Sequence, residues 1–152
     1  MRFPKPSGGW GLPADSRTTR SEEETSSVAE ALASGFRGGE VVLLSGDLGA
    51  GKTAFVKGLA RGLGIDPGEV VSPTFVLLTR YRGRLLLHHA DLYRLSGRGD
   101  EREIGLEELP GADAVLAVEW AERLADAPWS KAFRVSLEHA GGDARLIRVS
   151  AP

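Results

Sequence analysis

The 152-residue sequence predicts a three-layer α/β domain on a mixed sheet, partly parallel and partly antiparallel, and three observations carry that reading. Two short apolar runs, EVVLLS at 40–45 and AVLAVE at 114–119, have the pattern of strands buried on both faces of a parallel sheet. A glycine-rich loop and a helical pattern follow the first run directly, as in a strand–loop–helix unit. Residues 133–138 and 144–149 alternate apolar and polar around Gly141-Gly142, which predicts a terminal antiparallel hairpin.

The remaining elements follow in chain order. Residues 1–16 are rich in Pro and Gly without periodicity and read as a flexible tail ahead of a single domain at 17–152. A short edge strand is expected at 17–20. Ser21-Glu22-Glu23-Glu24 then forms a capping box, with the Ser21 hydroxyl on the third helical amide and Glu24 reaching back. Val28, Leu32 and Phe36 mark one buried helical stripe, and Gly35, Gly38 and Gly39 end the helix. A second helix is expected at 52–63, with Phe55, Val56, Leu59 and Leu63 inward and Gly62 and Gly64 flanking its end. Two strands, 74–80 and 84–91, are joined by a tight turn at Arg82-Gly83. Residues 96–102 read as a polar surface loop, 103–109 as a short helix stopped by Pro110-Gly111, and 120–125 as another short helix.

Composition excludes several function classes. The chain is 41% hydrophobic and 26% charged, enough apolar material for one core and inconsistent with a disordered protein. With 19 basic against 21 acidic residues the net charge is −2, so no basic field holds nucleic acid or an anionic membrane by charge alone, and any RNA is expected to be gripped by something else. There is no cysteine, which removes disulfides, thiolate zinc sites and thiol nucleophiles. No apolar run approaches the ~20 residues that span a bilayer, and the first sixteen residues lack a secretory core, so a cytoplasmic location is expected.

The chemistry concentrates in Gly46-Asp47-Leu48-Gly49-Ala50-Gly51-Lys52-Thr53, which satisfies G-x-x-x-x-G-K-S/T. Glycines let successive amides wrap phosphates, and the following helix adds its positive N-terminal end. In this pattern Lys52 reaches the β- and γ-phosphates and the Thr53 hydroxyl ligates Mg²⁺. The preceding strand and following helix make it a nucleotide-binding P-loop. Guanine selection through Asn-Lys-x-Asp is impossible because the chain contains no Asn, so ATP or ADP is the expected nucleotide.

Such a loop needs an acid at the end of a neighbouring strand to hold the metal. Glu119, at the end of the more apolar strand, is favoured for Mg²⁺; Asp91, at the end of the other, is then free to orient the attacking water. His89, two residues before Asp91, shares its strand face and can interact with it, although a lone His88 or His89 is more often structural. Arg94 either neutralises phosphate charge or forms a surface ion pair. Ser72-Pro73-Thr74-Phe75 either senses the γ-phosphate or is a rigid turn, and Trp120 either packs in the core or forms a contact surface.

Together these motifs resemble the TsaE (YjeE) family of tRNA threonylcarbamoyladenosine biosynthesis proteins. The resemblance rests on Ser21-Glu22-Glu23-Glu24-Thr25, GDLGAGKT at 46–53, Gly58-Leu59-Ala60-Arg61-Gly62-Leu63-Gly64, Ser72-Pro73-Thr74-Phe75, His89-x-Asp91-Leu92-Tyr93-Arg94 and Glu119-Trp120. It implies a P-loop NTPase fold and a slow ATPase that binds ATP and Mg²⁺. It also implies work with TsaD and TsaB in forming N6-threonylcarbamoyladenosine at position 37 of tRNAs reading codons that begin with A. By position it makes Lys52 and Asp91 catalytic and Thr53 and Glu119 metal ligands, with Thr25 and Ala54 beside the nucleotide and Trp120 on a switch-like or partner-facing surface. Two other readings compete. A small-molecule kinase needs an Arg-bearing lid, for which 96–102 is short; a non-hydrolysing assembly factor does not need two strand-end acids.

Overall fold

Val41–Gly46 and Ala114–Glu119, the two apolar runs, lie side by side in the middle of a sheet that has seven strands among the described residues. The computed structural model describes residues 14–47, 49–71, 78–93, 105–124 and 127–152. The expectations for Leu48, for 72–75, for Arg94 and for the loop at 96–102 lie outside those residues. The strands are β1 (Ala14–Thr19), β2 (Val41–Gly46), β3 (Leu78–Arg82), β4 (Leu86–Asp91), β5 (Ala114–Glu119), β6 (Phe133–His139) and β7 (Arg145–Ser150). Their spatial order is β1-β7-β6-β2-β5-β4-β3. The central four, β6, β2, β5 and β4, are parallel; β3 on one side and β7 then β1 on the other are antiparallel.

Two α-helices, α1 (Glu22–Ala33) and α2 (Lys52–Gly62), pack against one face, over Val42, Leu44, Val115 and Ala117. The alternate residues Val41, Leu43, Leu116 and Val118 face the other way. There, among the described residues, the third layer is built of 3-10 turns, Leu106–Glu108 and Ala121–Arg123, and loop side chains such as Leu124 and Trp129 rather than α-helices. The helix expected at 103–109 thus contributes a single 3-10 turn where it is described, and the one near 120–125 another.

Strand β1 starts at Ala14, inside the stretch read as tail. Its backbone pairs with β7 from Ala14↔Ser150 to Thr19↔Arg145, and such a ladder needs no apolar period to announce it. The cap of α1 forms as expected: Ser21 Oγ accepts from the Glu24 N–H at 3.0 Å. Glu24 does reach back, but to the Arg20 N–H at 3.3 Å. The β3–β4 ladder extends to Arg82↔Leu86, so the turn lies one step later than expected, over residues 83–85.

The buried stripe of α1 also differs. Thr25, Ser26, Ala29, Leu32 and Ala33 are buried, whereas Val28 is only half-buried. The cause lies on α2. A Cβ placed on Gly58 would sit 2.0 Å from Ser26 O, and one on Gly62 would sit 2.8 Å from the Ala33 Cβ. The two glycines, one turn apart, form a groove for α1, and only small residues of α1 fit against it. Gly62 therefore serves helix packing rather than helix termination. Gly58→Ala is expected to cost about 1–3 kcal/mol by overpacking, despite the better helix propensity of alanine. Urea unfolding monitored by circular dichroism checks this.

Candidate functional site

The parallel strands β2, β5 and β4 end together at one edge of the sheet, with Leu44 beside Glu119 and Glu119 beside Asp91. Ligands of open α/β sheets bind outside this carboxyl edge. From Gly46 the chain turns through Gly49 (φ 76°) and Gly51 (φ 104°), left-handed conformations that side chains rarely adopt, and α2 begins at Lys52. Ala50 is fully buried beneath the loop, and its N–H closes a turn on Asp47 O at 3.0 Å. The first amides of a helix lack intrahelical partners and carry the positive end of its dipole. Gly46, Asp47, Gly49, Ala50, Gly51, Lys52 and Thr53 thus stand around one turn at the carboxyl edge, where α2 begins.

Lys52 lies at the centre of this turn and is only 5% exposed. Its Nζ donates to Gly46 O at 2.6 Å and to Asp47 O at 2.8 Å, and sits 3.9 Å from the centre of the Trp120 ring. Burial lowers its pKa from the usual lysine value, opposed by the carboxylates of Glu122, Glu119, Asp47 and Asp91. Trp120 has a left-handed backbone (φ 60°) and meets the Tyr93 ring at 4.8 Å, tilted by 44°; half-buried, it packs against the second hydrophobic cluster and also covers the Lys52 ammonium.

The two strand-end acids take different partners. Glu119, 2% exposed, accepts from the Thr53 hydroxyl at 3.3 Å through Oε1 and meets His89 Nε2 at 2.5 Å through Oε2. Asp91 accepts the Tyr93 N–H at 2.9 Å. Burial raises the Asp91 pKa above the usual carboxyl value, against the Tyr93 amide and with help from Glu119. His89 therefore makes its hydrogen bond with Glu119, while the strand face it shares with Asp91 leaves the two close enough to interact electrostatically. The reason is reach: β4 and β5 are parallel and in register, which brings the ring across to the neighbouring strand. His88, on the opposite face, accepts from Arg80 Nε at 3.1 Å, and burial together with that cation lowers its pKa. It is structural.

Thr25 and Ala54 come together, lining an open cleft of about 350 Å³ beside the loop with Arg20, Ser21, Asp143 and Arg145. The Thr25 hydroxyl is paired with that of Thr19 at 2.7 Å, and either can be the donor. Two contacts escaped the sequence reading. Glu122 Oε2 accepts the Gly46 N–H at 3.2 Å, and Arg145 Nη2 donates to Gly49 O at 3.4 Å. Glu122 sits in a 3-10 turn and Arg145 at the start of β7, neither with a motif of its own, so only the fold reveals them.

A family model for the threonylcarbamoyl adenosine biosynthesis protein TsaE matches residues 19–147. The chain belongs to the TsaE family. The tRNA threonylcarbamoyladenosine biosynthesis protein TsaE of Treponema pallidum is 47% identical over 107 residues, 70% of this chain and 78% of that protein. Its namesake in Bacillus subtilis is 39% identical over 134 residues, 88% and 83% of the two chains. The crystal structure of Bacillus subtilis YdiB superposes with a TM-score of 0.69 at 34% identity, covering 91% of this chain and 85% of that one. The P-loop, both strand-end acids and Trp120 all lie inside the span matched to TsaE. Among the described residues of this TsaE-family chain, no helix is long and apolar enough to cross a membrane.

Proposed function

We propose that this TsaE-family chain binds ATP with Mg²⁺ and hydrolyses it. It does so in support of a TsaD–TsaB complex that forms N6-threonylcarbamoyladenosine at position 37 of tRNAs reading codons that begin with A. The observation that carries the reading is the Thr53–Glu119 contact beside Lys52, at the carboxyl edge where the P-loop closes. The chain acts as one ATPase domain in the cytoplasm, and tRNA is met through the partner complex.

The donor set fits a magnesium ion. Among the described residues no cluster of three His, Asp or Glu forms an all-protein metal cage. Mg²⁺ in nucleotide sites instead takes one or two protein oxygens, the substrate phosphates and waters. Thr53 Oγ1 and Glu119 would hold it, and it would supply positive charge against the phosphates. The loop from Gly46 to Thr53, including Leu48, supplies amides to the phosphates, and Thr25 and Ala54 border the nucleotide. Lys52 exchanges its two carbonyl partners for phosphate oxygens. Asp91 orients the water that attacks the γ-phosphorus as the bond to the β-phosphate oxygen breaks. Its raised proton affinity makes it a better acceptor for the water proton than a surface carboxylate.

The test is phosphate release from MgATP by the purified chain, alone and with TsaB and TsaD from its host. A low basal rate that rises with the pair is expected. Turnover only on addition of a small-molecule acceptor would favour a kinase. Tight ATP binding with no turnover in either condition would leave a nucleotide-dependent assembly factor.

A further inference from the structure

Glu119 divides its carboxylate between two partners, and the division gives His89 a task. Oε1 accepts from Thr53, on the side of the P-loop, while Oε2 meets His89 Nε2. His89 is fully buried, and its ring packs 6.3 Å from that of Tyr81. Its other nitrogen, Nδ1, is buried with no hydrogen-bond partner among the described residues. Unpaired N–H groups are rarer in protein interiors than unpaired acceptors. The ring proton is therefore placed on Nε2, pointing at Glu119.

The terminal torsion of a glutamate is broad and roughly two-fold, so a carboxylate held at one oxygen can still swing. A second hydrogen bond on the other oxygen stops it. We propose that His89 is a positioning residue: by holding Oε2 it fixes the plane of the Glu119 carboxylate and presents Oε1, beside the Thr53 hydroxyl, to the divalent cation that accompanies the nucleotide. His89 acts through Glu119, since Nε2 is committed to that carboxylate and the ring is enclosed. The inference rests on the reading of Thr53 and Glu119 as the cation's protein ligands. Hydrogen-bond partners of metal ligands typically change metal affinity by about 10–100-fold when removed.

The experiment measures binding rather than turnover. A fluorescent ADP analogue is titrated in EDTA, and Mg²⁺ is then added back, for the wild type, His89→Leu, His89→Gln and His89→Asn. His89→Leu is expected to bind the analogue normally without metal but to need about 10-fold more Mg²⁺ for half of the metal effect. The amide of His89→Gln falls where Nε2 stood and restores most of the wild-type requirement. The shorter amide of His89→Asn falls near Nδ1 and does not. If His89→Leu fails to fold, the contrast between the two amides carries the test alone. An unchanged Mg²⁺ requirement in His89→Leu, or equal behaviour of the Gln and Asn variants, would overturn the positioning role while leaving the metal site standing. A wild type indifferent to Mg²⁺ would remove the metal site itself, and this inference with it.

Discussion

Lys52→Ala is expected to weaken MgADP binding by about 100-fold or more, which in a calorimetric titration at ordinary protein concentrations reads as no binding. Removing one partner of a buried charge pair costs about 3–5 kcal/mol, and each 1.4 kcal/mol is a factor of ten. Geometry places Lys52 in that regime. Its ammonium is nearly enclosed by two loop carbonyls and the Trp120 ring, so phosphate oxygens arriving there meet a charge already taken from water. The same desolvation holds its pKa below the usual lysine value, a cost that an incoming phosphate relieves. The fold should survive, because among the described residues the hydrogen bonds of the lysine go to loop carbonyls, and it is not part of the hydrophobic core of Phe55, Val56 and Leu59. Affinity close to that of the wild type in a folded Lys52→Ala variant would remove phosphate from this turn.

What could be read in the sequence was set by how local each cause is. The P-loop is a run of eight residues whose conformation depends on its own glycines, and the central strands are recognisable because burial on both faces requires continuous apolar residues. Leu48 aside, the P-loop residues stand around one turn in the structure, and both strand-end acids lie next to it. Three features depended on something distant. The α1 stripe is set by two glycines on α2. Strand β1 exists because β7 offers a free edge. The partner of His89 is fixed by the register of β4 against β5, which a strand-by-strand reading cannot supply; the shared face of His89 and Asp91 was correct, but the neighbouring strand was closer. Glu122 belongs with these, since a carboxylate in a 3-10 turn gains meaning only once the turn lies over Gly46.

Asp91→Asn is expected to separate turnover from stability. If Asp91 orients the attacking water, asparagine removes the proton acceptor and hydrolysis falls by about 10²–10⁴-fold, the usual contribution of such a group. MgADP affinity should stay close to that of the wild type, because the phosphates are held by the loop and Lys52. Stability should move the other way. The Asp91 pKa is raised in the folded chain, chiefly by burial, so folding favours the protonated carboxyl. For such a group the stabilisation is present below the unfolded pKa and is lost as pH rises through the folded one. At pH 7 the ionised carboxylate therefore burdens the fold. Asparagine keeps an oxygen for the Tyr93 N–H without the charge. A Tm higher by about 2–4 °C corresponds to ~1 kcal/mol in a domain of this size. The control is pH: near pH 4, the usual carboxyl range, the wild-type side chain protonates as well and the gain should shrink. A variant that hydrolyses normally would strip Asp91 of its role. One that melts lower at neutral pH would mean that its ionised form is held by contacts stronger than the cost of burying it.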